Sequence, residues 1–304
     1  MNAIRNLLAA GIDYAGLFPP AGLDMSSAVR NYADYRTGTD AWALGRFVVP
    51  ASRLDEFERA AEQHIRQLSS NRPWQLSVLA GADLASDLQA VTGFHQRRSE
   101  TYSVAADTFE AKASSKRGIE DVMRAVPDTL QTYIEIPINR DPYPLLTTIA
   151  GLGGRAKVRT GGVTEDAFPS TGDLLRFIRG CVQAGIPFKA TAGLHHPLRA
   201  EYRLTYAPDS PSATMFGFLN LFLTSAFIRA GMEDDHAAPL LEERSPEAFQ
   251  VTRDGIGWRS YMLDGEALRA SRKEGMISFG SCSFAEPLME LEAMHLLPDR
   301  IQPA

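Results

Sequence analysis

Short apolar runs alternate with longer amphipathic segments along most of the chain. Eight of these runs are rich in β-branched and aromatic residues and end at glycine, proline or polar residues, which is the pattern of buried β-strands. The segments between them repeat apolar residues every three or four positions, as amphipathic α-helices do. The predicted strands cover residues 12–18, 43–49, 75–79, the second half of 102–112, 131–138, 155–160, 187–194 and 277–284.

Strand and helix alternate eight times, and no linker or sequence repeat interrupts their order. Such alternation is typical of an α/β protein with a parallel sheet, and eight units can close that sheet into a barrel. The sequence therefore predicts a single-domain (β/α)8 TIM barrel over residues 1–304. Residues 213–230 are largely apolar and predict a long helix before the eighth strand.

One segment departs from this order, because residues 232–274 are longer than an ordinary connection between elements. Within it, the sequence AFQVTRDGIGWRSY predicts a small hairpin with Asp254 and Gly255 at its turn. We expect this insertion, between the seventh helix and the eighth strand, to pack near the barrel mouth. A position far from any functional site is the alternative.

Composition limits the function classes to which the chain can belong. Of its 304 residues 44% are hydrophobic and 22% charged, and its net charge of −6 argues against a general affinity for nucleic acid. No apolar run reaches the ~18 residues of a membrane span. The N-terminal stretch continues into a strand pattern without the features of a signal peptide. We therefore expect a cytoplasmic protein without a membrane partner, and the oligomeric state, homo-oligomer included, stays open.

The stretch KVRTGGVTEDAFPSTGDLLRFIRGCVQAGIPFKATAGLHHP, residues 157–197, combines two strands with one amphipathic helix. Successive side chains of a strand point to opposite faces. Lys157 and Arg159 therefore share one face, and Lys189 and His195 share the corresponding face of the next strand. The small apolar residues between them suit the outer, helix-covered face of a barrel, so we expect the four polar side chains to point inward.

The same reasoning places ionisable groups from four neighbouring strands inside the barrel. An ordinary barrel interior is filled by valine, isoleucine and leucine, and a buried charge is costly unless it is paired. Structural ion pairs, such as Glu110 with Lys157, account for some of these groups, but seven together favour a catalytic site. The predicted set is Glu110, Lys112, Glu135, Lys157, Arg159, Lys189 and His195.

These groups carry more positive than negative charge in a protein that is acidic as a whole. Such a pocket favours a small anionic metabolite, a carboxylate or a phosphate, as the substrate. Two glycine-containing turns, after the sixth strand and in the eighth, can add backbone N–H groups for an anion. The predicted substrate-binding residues are Arg159, Thr160, Gly161, Gly162, Gly280, Ser281 and Cys282.

Lys157 and Lys189 lie on consecutive strands, and each is followed closely by threonine or glycine. This arrangement resembles the sixth and seventh strands of class I deoxyribose-phosphate-type aldolases, within residues 157–197. The resemblance implies an aldolase-like lyase in which Lys157 forms a Schiff base and Lys189 perturbs it. The turn at residues 160–162 departs from the small-residue turn of that family, and the two histidines after the seventh strand have no counterpart there.

The residues also indicate a reaction chemistry independently of this resemblance. A lysine that is screened from water and surrounded by cations has a lowered pKa, and it becomes a usable nucleophile or base. Glu110, Glu135 or His195 can then move protons. This mechanism needs no metal or other cofactor. The two cysteines, Cys181 and Cys282, have the spacing of neither a zinc site nor a disulfide scaffold.

Two alternatives remain open. In the first, Glu110, Glu135 and His195 bind Mg²⁺ or Mn²⁺, and a lysine is the base of an enolising isomerase or lyase. We favour the metal-free mechanism because the lysines outnumber the available acids. In the second alternative, the barrel binds a metabolite without converting it.

Overall fold

The computed structural model describes residues 3–66, 73–98 and 104–297. The strands are β1 (Ile12–Tyr14), β2 (Leu44–Pro50), β3 (Trp74–Leu79), β4 (Val104–Lys112), β5 (Gln131–Glu135), β6 (Arg155–Arg159), β7 (Phe188–Thr191), β8 (Ala200–Arg203), β9 (Ser212–Met215), β10 (Phe249–Val251), β11 (Gly255–Trp258), β12 (Tyr261–Asp264) and β13 (Met276–Ser281). The α-helices are α1 (Ala3–Leu8), α2 (Met25–Thr37), α3 (Leu54–Arg66), α4 (Leu84–Arg98), α5 (Lys116–Ala125), α6 (Tyr143–Gly151), α7 (Thr171–Gln183), α8 (Phe218–Arg229), α9 (Asp234–Leu241), α10 (Gly265–Glu274) and α11 (Ala285–Ala293).

Eight of these strands form a closed barrel, in the spatial order β1-β2-β3-β4-β5-β6-β7-β13. Every neighbouring pair in the ring is parallel. Helices α2 to α8 and α11 follow the strands in turn, as the right-handed connections of parallel strands require. The predicted single-domain (β/α)8 TIM barrel is confirmed. None of the described helices is long and apolar enough to cross a membrane.

The seventh strand is shorter than the sequence pattern predicts. It ends at Thr191, because Ala192 and Gly193 take left-handed backbone conformations with φ of 64° and 70°. The alternation of faces that was used to place His195 therefore stops before that residue. In the segment predicted to contain the fourth strand, residues 102 and 103 lie outside the described residues.

The predicted helix over residues 213–230 is wrong in its first part. Residues 212–215 form β9, which pairs with β8 as an antiparallel hairpin, and α8 begins only at Phe218. A Cβ atom on the intervening Gly217 would lie 2.1 Å from the carbonyl oxygen of Pro197. This close approach of two chain segments sets the start of the helix, and a hydrophobic pattern does not reveal it.

The insertion, residues 232–274, packs against the outer helices, and its position near the barrel mouth stays a prediction. Helix α9 contacts α7 and α8, α10 contacts α1 and α8, and the sheet of β10, β11 and β12 lies beside α10. The predicted hairpin is present in it as the antiparallel pair of β10 and β11. Apolar side chains of the insertion, such as Ile256 and Trp258, are buried in the main core. No described residue of this segment lines the cavity of the barrel.

Polar side chains line up in one row across the barrel. The register pairs Lys112 with Glu135, Glu135 with Lys157, and Lys157 with Lys189. The same row continues from Lys189 to Ser278 on β13. Residues paired in this way stand side by side on adjacent strands, so the register itself brings carboxylate and ammonium groups together.

Gly45 of β2 leaves room for Asp13 of β1 to point into the barrel. A Cβ atom at position 45 would lie 2.4 Å from Oδ1 of Asp13, the oxygen that the backbone N–H of Arg46 binds at 2.8 Å. We expect Gly45→Ala to lower the free energy of unfolding by about 1–3 kcal/mol, as overpacking does. Urea denaturation measures this loss. Gly151→Ala is the matched control, because a Cβ atom there meets nothing within 4 Å; equal losses in both variants would contradict the prediction.

Candidate active site

A cavity of about 410 Å³ opens at the carboxyl ends of the barrel strands. TIM barrels carry their functional sites at this end. Glu110, Lys157 and Lys189 are buried residues that line it, and the loops after β1, β6 and β7 supply much of its wall. The cavity therefore has a charged, buried floor.

Lys189 is held between two carboxylates at this floor. Its Nζ lies 2.6 Å from Oδ2 of Asp13 and 2.6 Å from Oε1 of Glu110. The ring of Tyr133 adds a cation–π contact, with its centroid 5.4 Å from Nζ. Burial lowers the pKa of Lys189, but the two carboxylates outweigh burial and leave the pKa above its ordinary value. Lys189 is therefore an ammonium group at neutral pH.

Lys157 also bridges two carboxylates. Its Nζ is 2.8 Å from Oε2 of Glu110 and 2.9 Å from Oε2 of Glu135. Glu110 thus binds one lysine with each of its oxygens. Glu135 is shared further, since its Oε1 lies 3.2 Å from Nε of Arg159 and 3.6 Å from Nζ of Lys112. The ion pairs form one continuous chain across the barrel.

Both glutamates stay ionised because of these cations. Burial raises the pKa of Glu110, but Lys157 and Lys189 outweigh it and hold the pKa well below its ordinary value. Burial also opposes the ionisation of Glu135, and there Lys157 and Arg159 lower the pKa. Both glutamates are therefore carboxylates at neutral pH.

The distribution of charge differs from the one expected from the sequence. The two buried lysines face three buried carboxylates, those of Asp13, Glu110 and Glu135, so the floor is not net positive. The nearest charged partners of both lysines are carboxylates and not cations, and the expected like-charge environment is wrong. The further positive charge lies at the rim, because Lys112 and Arg159 end β4 and β6 and their side chains reach solvent.

Three residues of this network were not found from the sequence: Asp13, Ser77 and Ser278. The hydroxyl of Ser77 donates to Oε1 of Glu110, and that of Ser278 donates to Oδ2 of Asp13 at 2.8 Å. Asp13 stands between Ile12 and Tyr14, and a lone acid inside an apolar strand was a signal that could have identified it. The two serines carry no charge and gave no such signal.

His195 belongs to a second polar group on the cavity wall, beyond the end of β7. Its Nδ1 lies 3.2 Å from Oγ of Ser281, which does not line the cavity, and 3.7 Å from Sγ of Cys282, which does. Burial, with the help of His196, lowers the pKa of His195 to about 4. Burial also raises the pKa of the Cys282 thiol. At neutral pH this wall therefore presents an uncharged imidazole and an uncharged thiol.

The predicted substrate-binding residues are divided between the cavity and the protein interior. Thr160 is buried, and its hydroxyl donates to the carbonyl oxygen of Ala192 at 2.7 Å, so it supports the turn after β7. Gly161 packs against the ring of Phe168, which a Cβ atom would approach to 2.4 Å. The members of the set that line the cavity are Arg159, Gly162, Gly280 and Cys282.

Glu110, Glu135 and His195, the metal ligands of the alternative interpretation, do not form a ligand cluster. The carboxylate oxygens of both glutamates bind lysines instead. Across the part of the chain that the structure describes, one trio of histidine, cysteine or acidic residues has its ligand atoms within 4.8 Å of one another: His196, Glu286 and Glu290.

A second, open cavity of about 840 Å³ adjoins the first beyond the ends of β4, β5 and β6. Lys112, Glu135 and Arg159 line both cavities. The two rim cations therefore lie where the buried floor meets the open surface.

Comparison with protein-family models, with curated proteins and with solved structures finds no match for this chain. A TIM barrel alone does not specify a reaction, because many unrelated activities use this fold. The function proposed for the chain rests on the geometry of its site.

Glu110→Gln tests how strongly the ion-pair chain depends on its shared carboxylate. The substitution leaves Lys157 and Lys189 buried without their common counter-ion. We expect the free energy of unfolding in urea to fall by about 3–5 kcal/mol, as when one partner of a buried ion pair is removed. Glu120→Gln on the exposed face of α5 is the control, expected to change stability by less than about 0.5 kcal/mol. Similar values for both variants would show that the shared charge is dispensable.

The lowered pKa of His195 predicts a specific dependence on pH. We expect its ring protons to titrate by NMR with a midpoint of about 4, below the ordinary 6.5, with the signal assigned from His195→Gln. Because the folded protein disfavours protonation, the contribution of His195 to stability is complete above pH 6.5 and is lost as pH falls toward 4. That contribution is about 3 kcal/mol, and His195→Gln should lack it. A midpoint near 6.5 would mean that the ring is not buried.

Proposed function

We propose that this protein is an enzyme, a lyase of the aldolase type that acts on a small anionic carbonyl compound through a Schiff base on Lys157. The observation that carries the proposal is the pair of buried lysines that share the carboxylate of Glu110 at the floor of the cavity. The position also supports it, because enzymes with this fold work at the carboxyl ends of the strands. A core built for stability alone gains little from buried ion pairs.

Of the two lysines, Lys157 is better placed to be the nucleophile. Lys189 is bound by two carboxylates at 2.6 Å, and its raised pKa keeps it protonated. Lys157 is bound at 2.8 and 2.9 Å, and one of its partners, Glu135, divides its charge among three cations. We therefore assign Lys157 as the nucleophile, and two carboxylates lie within reach to accept its proton.

The carboxylates around Lys157 also suit the covalent intermediate. Overall, an ammonium group and a carbonyl compound give an iminium ion and one molecule of water, so the positive charge on nitrogen is conserved. Glu110 and Glu135 are then paired with a cation both before the change, when Lys157 is an ammonium group, and after it, when Lys157 is an iminium ion. The iminium is the electron sink of the proposed reaction, which for that reason uses no metal or other cofactor.

In the cleavage direction, the bond that breaks joins the carbons α and β to the iminium carbon. A base takes the proton of the β-hydroxyl group, its oxygen becomes a carbonyl, and the bonding electrons pass to the iminium to form an enamine. Protonation of the enamine carbon and addition of water then release the second product and restore the amine. Glu135 and the neutral His195 line the cavity and are the groups that we assign to these proton transfers.

Borohydride reduction tests the proposed intermediate, because it converts an iminium into a stable secondary amine. We expect peptide mass spectrometry to find an adduct on Lys157 when the protein is reduced with members of a panel of oxo acids and aldehyde phosphates. Lys157→Arg keeps the charge but not the nucleophile, since a guanidinium stays protonated. It should lose the adduct and lower turnover by about 10⁴-fold or more, as for other covalent nucleophiles.

Lys116→Arg, at an exposed position of α5, is the matched control and should keep both adduct and turnover. An adduct on Lys189 instead of Lys157 would exchange the two roles. Full turnover by Lys157→Arg would refute the covalent mechanism and leave Lys157 as an anion-binding residue. Binding of a panel compound without adduct or turnover would favour the non-catalytic barrel.

A further inference from the structure

The cavity has two chemically different sides. In the part of the chain that the structure describes, the lining residues from β1, β2, β3 and the loops after them are all apolar: Phe18, Pro19, Pro20, Val48 and Leu79, with two alanines. Strand β2 lies opposite β6 in the ring of eight strands. The apolar side therefore faces the sector that carries Lys157 and Arg159.

The β8–β9 hairpin adds further apolar lining to the cavity. Leu204 and Met215 line the cavity and are buried, and together with Ala213 they form a small cluster separate from the main core. Apolar lining thus comes from elements far apart in the chain. This makes a chance exposure of one hydrophobic loop a poor explanation for it.

The opposite side offers positive charge at the rim. Arg159 uses its Nε to bind Glu135, and its terminal guanidinium nitrogens have no hydrogen-bond partner among the described residues. Lys112 binds the same carboxylate oxygen at 3.6 Å and is otherwise exposed. These two groups can accept an anion without breaking the ion pairs of Lys157.

We infer that the substrate carries an apolar hydrocarbon chain in addition to its anionic group. The anion binds at Arg159 and Lys112, and the chain packs against the side formed by Phe18, Val48 and Leu79. Placing the carbonyl group between the two, at Lys157, rests on the proposed function. The substrate class is an aliphatic oxo acid, or an aliphatic carbonyl compound with a phosphate in place of the carboxylate, whose one hydroxyl group is the one that the cleavage consumes. A polyhydroxylated sugar phosphate does not belong to this class.

The free energies of transfer from water decide between these classes. A hydroxyl group that is moved from water onto an apolar wall loses hydrogen bonds that the wall cannot replace. A methylene group placed at the same wall is stabilised by removal from water. A cavity with one apolar side therefore selects for hydrocarbon and against hydroxyl groups.

Binding of unreactive carboxylates tests this inference without any chemistry at Lys157. We expect calorimetric titration of the wild-type protein with butanoate, pentanoate and hexanoate to show a gain in affinity of about fourfold for each added methylene group. Gluconate matches hexanoate in chain length and charge but carries hydroxyl groups. It should bind at least about tenfold more weakly than hexanoate.

Two variants and one control locate the contacts. Leu79→Asn puts an amide on the apolar side and should reduce the gain in affinity with chain length. Leu152→Asn, at an exposed leucine outside the cavity, should leave that gain unchanged. Arg159→Gln should weaken the binding of all the carboxylates by a similar factor, whatever their chain length. A dependence on chain length that survives Leu79→Asn would place the hydrocarbon elsewhere and overturn the inference.

The wild-type titrations decide the question even if Leu79→Asn does not fold. Equal affinity for hexanoate and gluconate, or no gain with chain length, would overturn the inference. Adducts on Lys157 in the same protein would then still support the aldolase-type reaction, with a polar substrate. A gain with chain length without any adduct would support the apolar side as a binding feature and refute the Schiff base.

Discussion

The carboxylate of Glu110, bound through one oxygen to Lys157 and through the other to Lys189, is the contact on which the interior of this barrel depends. Moving an ammonium group out of water costs several kcal/mol, so neither lysine could remain charged inside the barrel without such a partner. Each lysine has a second carboxylate partner, because Asp13 pairs with Lys189 and Glu135 pairs with Lys157. Opposite charges supplied by separate strands also hold one another in place.

This arrangement sets the protonation states of the site before any ligand arrives. Carboxylates raise the pKa of Lys189, lysines lower that of Glu110, and burial lowers that of His195 to about 4. None of the three changes its charge near neutral pH. A Schiff base on Lys157 would exchange one nitrogen cation for another in these surroundings, so catalysis would not require the charge of the floor to change.

Much of the fold and part of the site follow from the periodicity of the sequence. Eight apolar runs and the alternation of faces were enough to predict the barrel and to bring Glu110, Glu135, Lys157 and Lys189 to its interior. Alternation gives the face of a side chain but not its depth, which is why Lys112 and Arg159 were expected inside and lie at the rim. It also gives no distance between side chains on different strands. The sequence therefore could not predict that carboxylates, and not cations, lie beside the lysines. The β8–β9 hairpin and the outer position of the insertion depend on contacts between distant segments, to which local patterns are blind.

The ion pair between Asp13 and Lys189 joins residues 176 positions apart, and it links the first barrel strand to the seventh. These side chains can meet only when β13 inserts between β1 and β7 and the ring closes. Contacts of such long range form late and slow folding, because the entropy of closing the intervening chain must be overcome first. A chain emerging from the ribosome would thus hold both groups in water until its last strand is made. The full set of ion pairs at the cavity floor is therefore complete only in the closed ring.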